Sequence, residues 1–145
     1  MKLIELEGLL VRARAQNNIY LIARCALMCT AYGTGSRLIP EEKSLIRLRL
    51  KAAREKNVTL GLQPGYEIAR WLMLSQRLVS EDEIWPRDQD VALIQETCDQ
   101  YCRERNIKQL ASLLHTCKAI VVSVNLALLP PKKREKVKRL AAGLR

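Results

Sequence analysis

The chain contains no phenylalanine and a single histidine, and it has few of the β-branched and turn-residue clusters that mark strands and hairpins. Its apolar residues, 48% of the 145, are mainly aliphatic. Strand-based folds are therefore disfavoured, and a chain of this length fits one domain with one hydrophobic core. We predict an all-α protein, a single-domain helical bundle of about five to seven helices.

Long apolar runs are also lacking. A membrane-spanning helix needs roughly 20 apolar residues. The longest candidate, residues 119–129, contains two polar residues and stops at Pro130. The first ten residues carry Glu5 and Glu7 where a signal peptide would have an uninterrupted apolar region. We therefore expect a soluble, cytoplasmic protein that makes no contact with a membrane.

Cysteine is present in an odd number, which does not suit a disulfide framework in a chain without an export signal. We expect five free thiols: Cys25, Cys29, Cys98, Cys102 and Cys117. The first four form two i, i+4 pairs, and two such helix faces can in principle build a four-thiolate zinc site. Structural zinc is usually bound by cysteines that lie closer together in loops, whereas these four positions continue the apolar stripes of helices. We interpret them as small buried hydrophobes and predict no metal and no cofactor.

Residues arranged for catalysis are equally scarce. His115 is the only histidine, and its helical, apolar surroundings lack the orienting partner that a general base needs. Cys117 lies two residues further on and points to a different helix face. The carboxylates between residues 81 and 90 lack the ladder spacing of a calcium loop. We predict a protein that is not an enzyme and has no catalytic residues.

Helical periodicity runs through most of the sequence, with core helices predicted at residues 19–31, 66–79, 90–104 and 108–128. Pro40 starts a further helix, whose buried stripe is predicted to be Leu45, Leu48 and Ala52. After Pro130, we expect the helical domain of residues 1–130 to give way to a basic tail, 131–145, that forms a short, frayed helix. No residue pattern repeats between helix pairs, so the sequence does not support a solenoid.

Both tryptophans lie in one stretch, on either side of an acidic segment. Trp71 falls on the apolar face of a helix and is predicted to be core, with Glu67 and Arg70 pointing outward. Residues 80–83 read as a capping box that starts a single turn. Trp85 then folds back as a lid on the core; an exposed binding anchor is the alternative.

The net charge of +10 is distributed unevenly, which predicts a field with two poles. Residues 131–145 hold seven basic side chains and one acidic side chain. Residues 37–56 hold seven basic side chains and three acidic ones. Residues 81–99 hold seven acidic side chains and one basic. The predicted partner-binding residues are Arg47, Lys51, Arg54, Arg70, Glu81, Asp82, Glu83, Trp85, Lys132, Lys133, Arg134 and Lys136.

Residues 50–86 also contain a short pattern of an Ala-Arg helix, a loop, a second helix with an aromatic and leucines, and a Trp-Pro element. The matching residues are Ala53-Arg54, Asn57-Val58, residues 68–74 and Trp85-Pro86. This pattern resembles a family of small helical proteins found with type VI secretion effectors in bacterial genomes. The resemblance implies an accessory or immunity protein that acts by binding.

Together these features predict a cytoplasmic protein-binding module, an immunity protein or a chaperone or adaptor for a secreted bacterial toxin. The alternative is a nucleic-acid-associated protein that uses the basic tail and the basic face of residues 43–56, because lysine and arginine contacts to phosphate supply most non-specific affinity.

Overall fold

The computed structural model describes residues 1–79 and 84–144, and these contain seven α-helices and no strand. The predicted all-α, single-domain class is confirmed. No helix within the described residues is long and apolar enough to cross a membrane. The helices are α1 (Leu3–Ala15), α2 (Ile19–Ala31), α3 (Pro40–Arg54), α4 (Pro64–Leu78), α5 (Asp88–Arg103), α6 (Ile107–Ala119) and α7 (Pro131–Ala142).

The bundle is built from three helical hairpins placed side by side. Helices α1 and α2, α3 and α4, and α5 and α6 pack as pairs, and α4 contacts both α2 and α6. The second helices of the hairpins therefore form a row with α4 in the middle, and α7 packs against α6 at one end. Stacked helix pairs of this kind create a continuous face across several hairpins. The hairpin recurs three times although the sequence shows no repeat.

Helix α4 is the centre of the core. Trp71 is fully buried and meets the Tyr20 ring edge-on at a centroid distance of 5.8 Å, so its predicted core position is confirmed. The prediction that Glu67 points outward is wrong, because this residue is fully buried. Its Oε1 atom accepts hydrogen bonds from the main chain and hydroxyl of Thr59 and from the Leu60 N–H. Helix α4 thereby holds the loop that precedes it.

The start of α4 lies unusually close to α5. The Gly65 N–H donates to Thr97 Oγ1 over 3.0 Å, and both residues are buried. A Cβ at position 65 would overlap that hydroxyl and the main-chain oxygen of Leu93. Glycine is therefore required at position 65, because only a residue without a side chain lets α4 and α5 approach this closely.

Two buried carboxylates join helices that are far apart in the chain. Glu42 and Asp90 sit in the first turns of α3 and α5, where each accepts a hydrogen bond from the main-chain N–H three residues earlier. Arg14, near the end of α1, pairs with Glu42 at 2.8 Å. Arg54, at the end of α3, pairs with Asp90 at 2.9 Å. The same arginine–carboxylate pair, which we call a clamp, thus connects successive hairpins. Each carboxylate accepts a capping hydrogen bond within its own helix and also pairs with an arginine from the preceding hairpin.

The buried stripe of α3 differs from the predicted one. Leu45 and Leu48 are 46% and 59% exposed, so the prediction that they are buried is wrong. Ile46, Leu50 and Ala53 face the core instead, in line with the buried Glu42. The core-facing side of α3 therefore includes a carboxylate, and Glu42 can be buried because it is paired with Arg14.

Helix α6 ends at Ala119, so the predicted helix over residues 108–128 is wrong in its second half. The end is a Schellman motif, in which the Val122 N–H donates to the Cys117 carbonyl over 2.9 Å. Val121 takes the left-handed position usually given to glycine, with φ of 57°. Branched side chains at residues 120–122 lose rotamer freedom in a helix, which favours termination here.

The basic tail forms the short helix α7, which has 12 residues. Its packing depends on Val137, which is fully buried, and on Ala141, which is 8% exposed. Pro131 occupies the first helical position, where its missing N–H leaves no intrahelical bond unmade. The predicted capping box at residues 80–83 lies outside the described residues.

Two glycine substitutions test the close approach of α4 and α5. Gly65→Ala is expected to lower the free energy of unfolding by about 2 kcal/mol, because the new methyl group must displace main-chain atoms. Gly8→Ala in α1 is the matched control, because no atom lies within 4 Å of the added carbon. This substitution should raise the free energy of unfolding by about 0.5–1 kcal/mol. Urea unfolding measures both, and equal effects would contradict the packing described.

The clamp on Glu42 predicts a dependence of stability on acid. Arg14 donates hydrogen bonds that outweigh burial and lower the pKa of Glu42. A lowered folded-state pKa gives stability that is complete above the unfolded value of about 4.3 and is lost as pH falls through the folded value. Glu42→Gln should therefore lower the free energy of unfolding by about 1–3 kcal/mol at neutral pH. The urea midpoint concentration of this variant should also fall less steeply as the pH is lowered. If the urea midpoint falls equally steeply in the variant and in the unaltered protein, other carboxylates control the stability in acid.

Candidate functional site

A groove of about 1090 Å³ lies on the side of the bundle formed by the second helices of the hairpins. Its walls come from α2, α4 and α6, from residues 121–124, and from the end of α7. Because α6 stops at Ala119, the chain beyond it turns aside and becomes one wall. The groove therefore spans all three hairpins and the terminal helix.

The groove is basic throughout. Five positively charged side chains from four helices line it, and no carboxylate is among the described residues that do so. A concave surface of one charge sign focuses its field and attracts ligands of opposite sign. The five side chains are Arg24, Arg70, Arg77, Lys118 and Lys138.

Two of these arginines are held in place by tyrosines one turn earlier on their own helices. Arg24 donates to the Tyr20 hydroxyl over 3.1 Å, and Arg70 donates to the Tyr66 hydroxyl over 2.8 Å. Each guanidinium also lies over the ring of its tyrosine, at 5.8 Å and 5.2 Å from the centroid. The contacts restrict the arginines before any ligand binds, which lowers the entropy lost on binding.

Arg70 is also more enclosed than Arg24, which is exposed. Its Nε is buried and makes no hydrogen bond to any described group. The side chain is half-buried at the groove, where Met73 and Arg77 follow on the same face of α4. A planar guanidinium suits carboxylate and phosphate oxygens, so this position is fitted to bind an anion.

The floor between the charges is apolar. Leu27, Met73 and Leu114 contribute from the helices, and Val122 and Val124 contribute from the segment after α6. Binding sites typically combine such apolar surface with a few placed polar groups. A ligand that carries both negative charge and apolar side chains therefore fits the groove better than a small anion does.

His115 also lines the groove, half-buried on α6. No hydrogen bond joins it to a hydroxyl or a carboxylate among the described residues, so it has none of the orienting contacts of a general base. Cys117 is fully buried, and burial raises the pKa of its thiol to about 12. What the described lining offers is charge and apolar contact.

The predicted partner-binding residues within the described part of the chain are spread over several surfaces, and among them only Arg70 lines the groove. Arg47 and Lys51 are exposed on α3, away from the groove lining. Arg54 is mostly buried in its pair with Asp90, with 18% of its side chain exposed. Arginine at that position holds two hairpins together, which limits its use as a contact for another molecule.

Trp85 is 63% exposed, so the predicted lid on the core is wrong and the exposed alternative describes its position. Its carbonyl accepts a long, 3.5 Å hydrogen bond from Arg54. The predicted residues Glu81, Asp82 and Glu83 lie outside the described residues. Their predicted role in binding a partner therefore stays a prediction.

The four predicted residues of the tail lie on α7. Lys132, Lys133 and Lys136 are exposed and do not line the groove, whereas Lys138 on the same helix does. Arg134 is half-buried, and its Nε donates to the Leu129 carbonyl over 3.0 Å. The tail therefore contributes one charged side chain to the groove lining, and its exposed lysines extend the basic surface beyond the groove.

Sequence reasoning missed Arg24, Arg77, Lys118 and Lys138 because they meet from four separate helices. One local signal was available. A tyrosine followed four residues later by an arginine occurs on both α2 and α4, on the face that the groove uses. Spacing of this kind predicts a supported guanidinium on a helix, although not which helices will lie next to each other.

All five cysteines are free and buried. Burial raises the pKa values of Cys25, Cys98 and Cys102 as well as that of Cys117. No cluster of histidine, cysteine or carboxylate side chains in residues 1–79 and 84–144 is arranged to hold a metal ion.

Comparison of the chain with protein-family models, with curated proteins and with solved structures finds no match. The likeness of residues 50–86 to proteins associated with type VI secretion effectors therefore stays a prediction.

The buried thiols predict a clear labelling pattern. Thiolate is the reactive form, and both burial and a raised pKa suppress it. At pH about 8, the folded protein should react slowly or not at all with 5,5′-dithiobis(2-nitrobenzoate), and all five thiols should react in guanidinium chloride. Rapid labelling of a thiol in the folded protein, read from absorbance, would show that one of these helices opens readily.

Proposed function

We propose that this chain is a non-catalytic protein-binding module of the bacterial cytoplasm. Its partner is a secreted toxin, which it blocks as an immunity protein or escorts as a chaperone or adaptor. The observation that carries the proposal is the basic groove with an apolar floor, which suits an acidic protein segment that also bears apolar side chains. The choice of a toxin as partner is supported by the resemblance of residues 50–86 alone.

Nucleic acid is the second candidate, favoured by the exposed lysines of α7. Lys132, Lys133 and Lys136 extend the positive surface past Lys138, and such a surface attracts phosphates. A protein partner is preferred because no aromatic residue is among the described residues that line the groove. The rings of Tyr20 and Tyr66 are covered by the groove arginines Arg24 and Arg70, whereas single-stranded nucleic acid is usually bound on open aromatic faces.

Charge reversals test where the partner binds. Arg77→Glu and Lys118→Glu lie on exposed sides of the groove and should each weaken binding about 10- to 100-fold, because they introduce repulsion toward an acidic segment. Lys51→Glu makes the same change of charge on the exposed face of α3 and should leave binding unaffected. The readout is growth rescue when each variant is co-expressed with a toxin encoded beside its gene, followed by titration calorimetry with the inactivated toxin.

Other results would lead to different conclusions. If Lys51→Glu alone abolishes rescue, the binding surface is the α3 face and not the groove. If no variant affects a protein partner but the groove variants weaken binding of a single-stranded oligonucleotide, measured by fluorescence anisotropy over a range of salt concentrations, the nucleic-acid function replaces the toxin-binding one.

A further inference from the structure

The segment that follows α6 has the features of an unpaired β-strand. Its exposure alternates residue by residue: Val122 and Leu126 are buried and Val124 is half-buried, whereas Ser123 and Asn125 are exposed. Alternation with a period of two is typical of an extended chain with one face on a core. The residues are also rich in valine, which suits a strand.

One edge of this segment is already occupied. Gln95 of α5 accepts a hydrogen bond from the Asn125 N–H over 2.8 Å and donates one to the Asn125 carbonyl over 2.9 Å. The side-chain amide thus pairs with both main-chain groups of one residue, as a neighbouring strand would. Asn125 and Gln95 are not among the residues that line the groove, so the point at which this edge is paired lies outside the groove lining.

The opposite edge is open and belongs to the groove wall. Successive residues of an extended chain direct their N–H and C=O groups to alternate edges, so Val122 and Val124 present theirs on the side away from Gln95. The Val122 N–H is used by the Cys117 carbonyl. The Val122 carbonyl and both main-chain groups of Val124 bond to no described group, and both residues line the groove.

Resting on the proposed function, we propose that the partner segment binds as an extended acidic strand, pairing its main chain with Val122–Val124 while its carboxylates reach the basic side chains of the groove. Strand addition to an open edge gives affinity through main-chain hydrogen bonds, and side-chain pockets give specificity. The occupant is an acidic segment because the described groove lining is basic and holds no carboxylate.

Main-chain pairing can be separated from charge by two synthetic probes. The first is an octapeptide of alternating glutamate and valine with blocked ends, and the second is the same peptide methylated at every main-chain nitrogen. Their charges are equal, but only the first can donate to the Val122 carbonyl. The unmethylated peptide is expected to bind at least about tenfold more tightly by calorimetry.

The chain itself supplies a matched pair of variants. Val124→Pro removes an N–H on the open edge, and Ser123→Pro removes one on the Gln95 edge; neither N–H makes a hydrogen bond to a described group. Val124→Pro should weaken binding of the unmethylated peptide about three- to tenfold, because a peptide carbonyl loses the Val124 N–H as its donor, and Ser123→Pro should leave the affinity unchanged. Because a proline can disturb the segment, hydrogen exchange on the unaltered protein provides an independent measurement. Bound peptide should slow exchange of the Val124 amide and leave that of Ser123 unchanged.

Each outcome has a defined meaning. Equal binding of the two peptides, with no protection of the Val124 amide, would overturn strand pairing and leave a groove that binds acidic segments by charge alone. Failure of both peptides to bind would overturn the strand inference. The growth-rescue assay with Arg77→Glu and Lys118→Glu would then test the proposed function separately.

Discussion

The near-complete burial of α4 is the constraint on which the rest of the structure depends. Eleven of its 15 residues are buried, so neighbouring helices must cover it on almost every side. Close contact with α5 requires Gly65, and the buried carboxylate of Glu67 requires the Thr59–Leu60 loop as its hydrogen-bonding partner. Arg70 and Arg77 lie on the part of α4 left uncovered by the hairpins, and that part is the groove.

Two arginine–carboxylate clamps set the order of the hairpins around this helix. An arginine at the end of one first helix reaches a carboxylate in the first turn of the next, from Arg14 to Glu42 and from Arg54 to Asp90. Each carboxylate also caps its own helix, so one buried group fixes both where a helix begins and what lies beside it. Fixing the first helices in this way aligns the second helices, which carry the groove.

Local features of the fold were predictable from the sequence, and long-range ones were not. Pro40 starts a helix as predicted, Pro64 and Pro131 also occupy first helical positions, and the apolar face around Trp71 identifies the core. Burial of Glu42 was missed because its partner lies 28 residues away, beyond any helical period. The groove was missed for the same reason: its five charges come from four helices, and only their packing brings them together.

The wrong prediction for residues 120–128 has a physical cause that bears on function. A short apolar run is consistent with either a buried helix or a buried strand, and periodicity alone does not distinguish them. Nine more helical residues would lengthen α6 by roughly 13 Å and carry the start of α7 away from α4. Terminating α6 at Ala119 instead returns the chain along the bundle, so that Lys138 lies in the same groove as Arg77 and the valine segment forms the wall between them. The strained left-handed position of Val121 is therefore part of what creates the groove, because the turn at that residue separates the helix from the open strand edge.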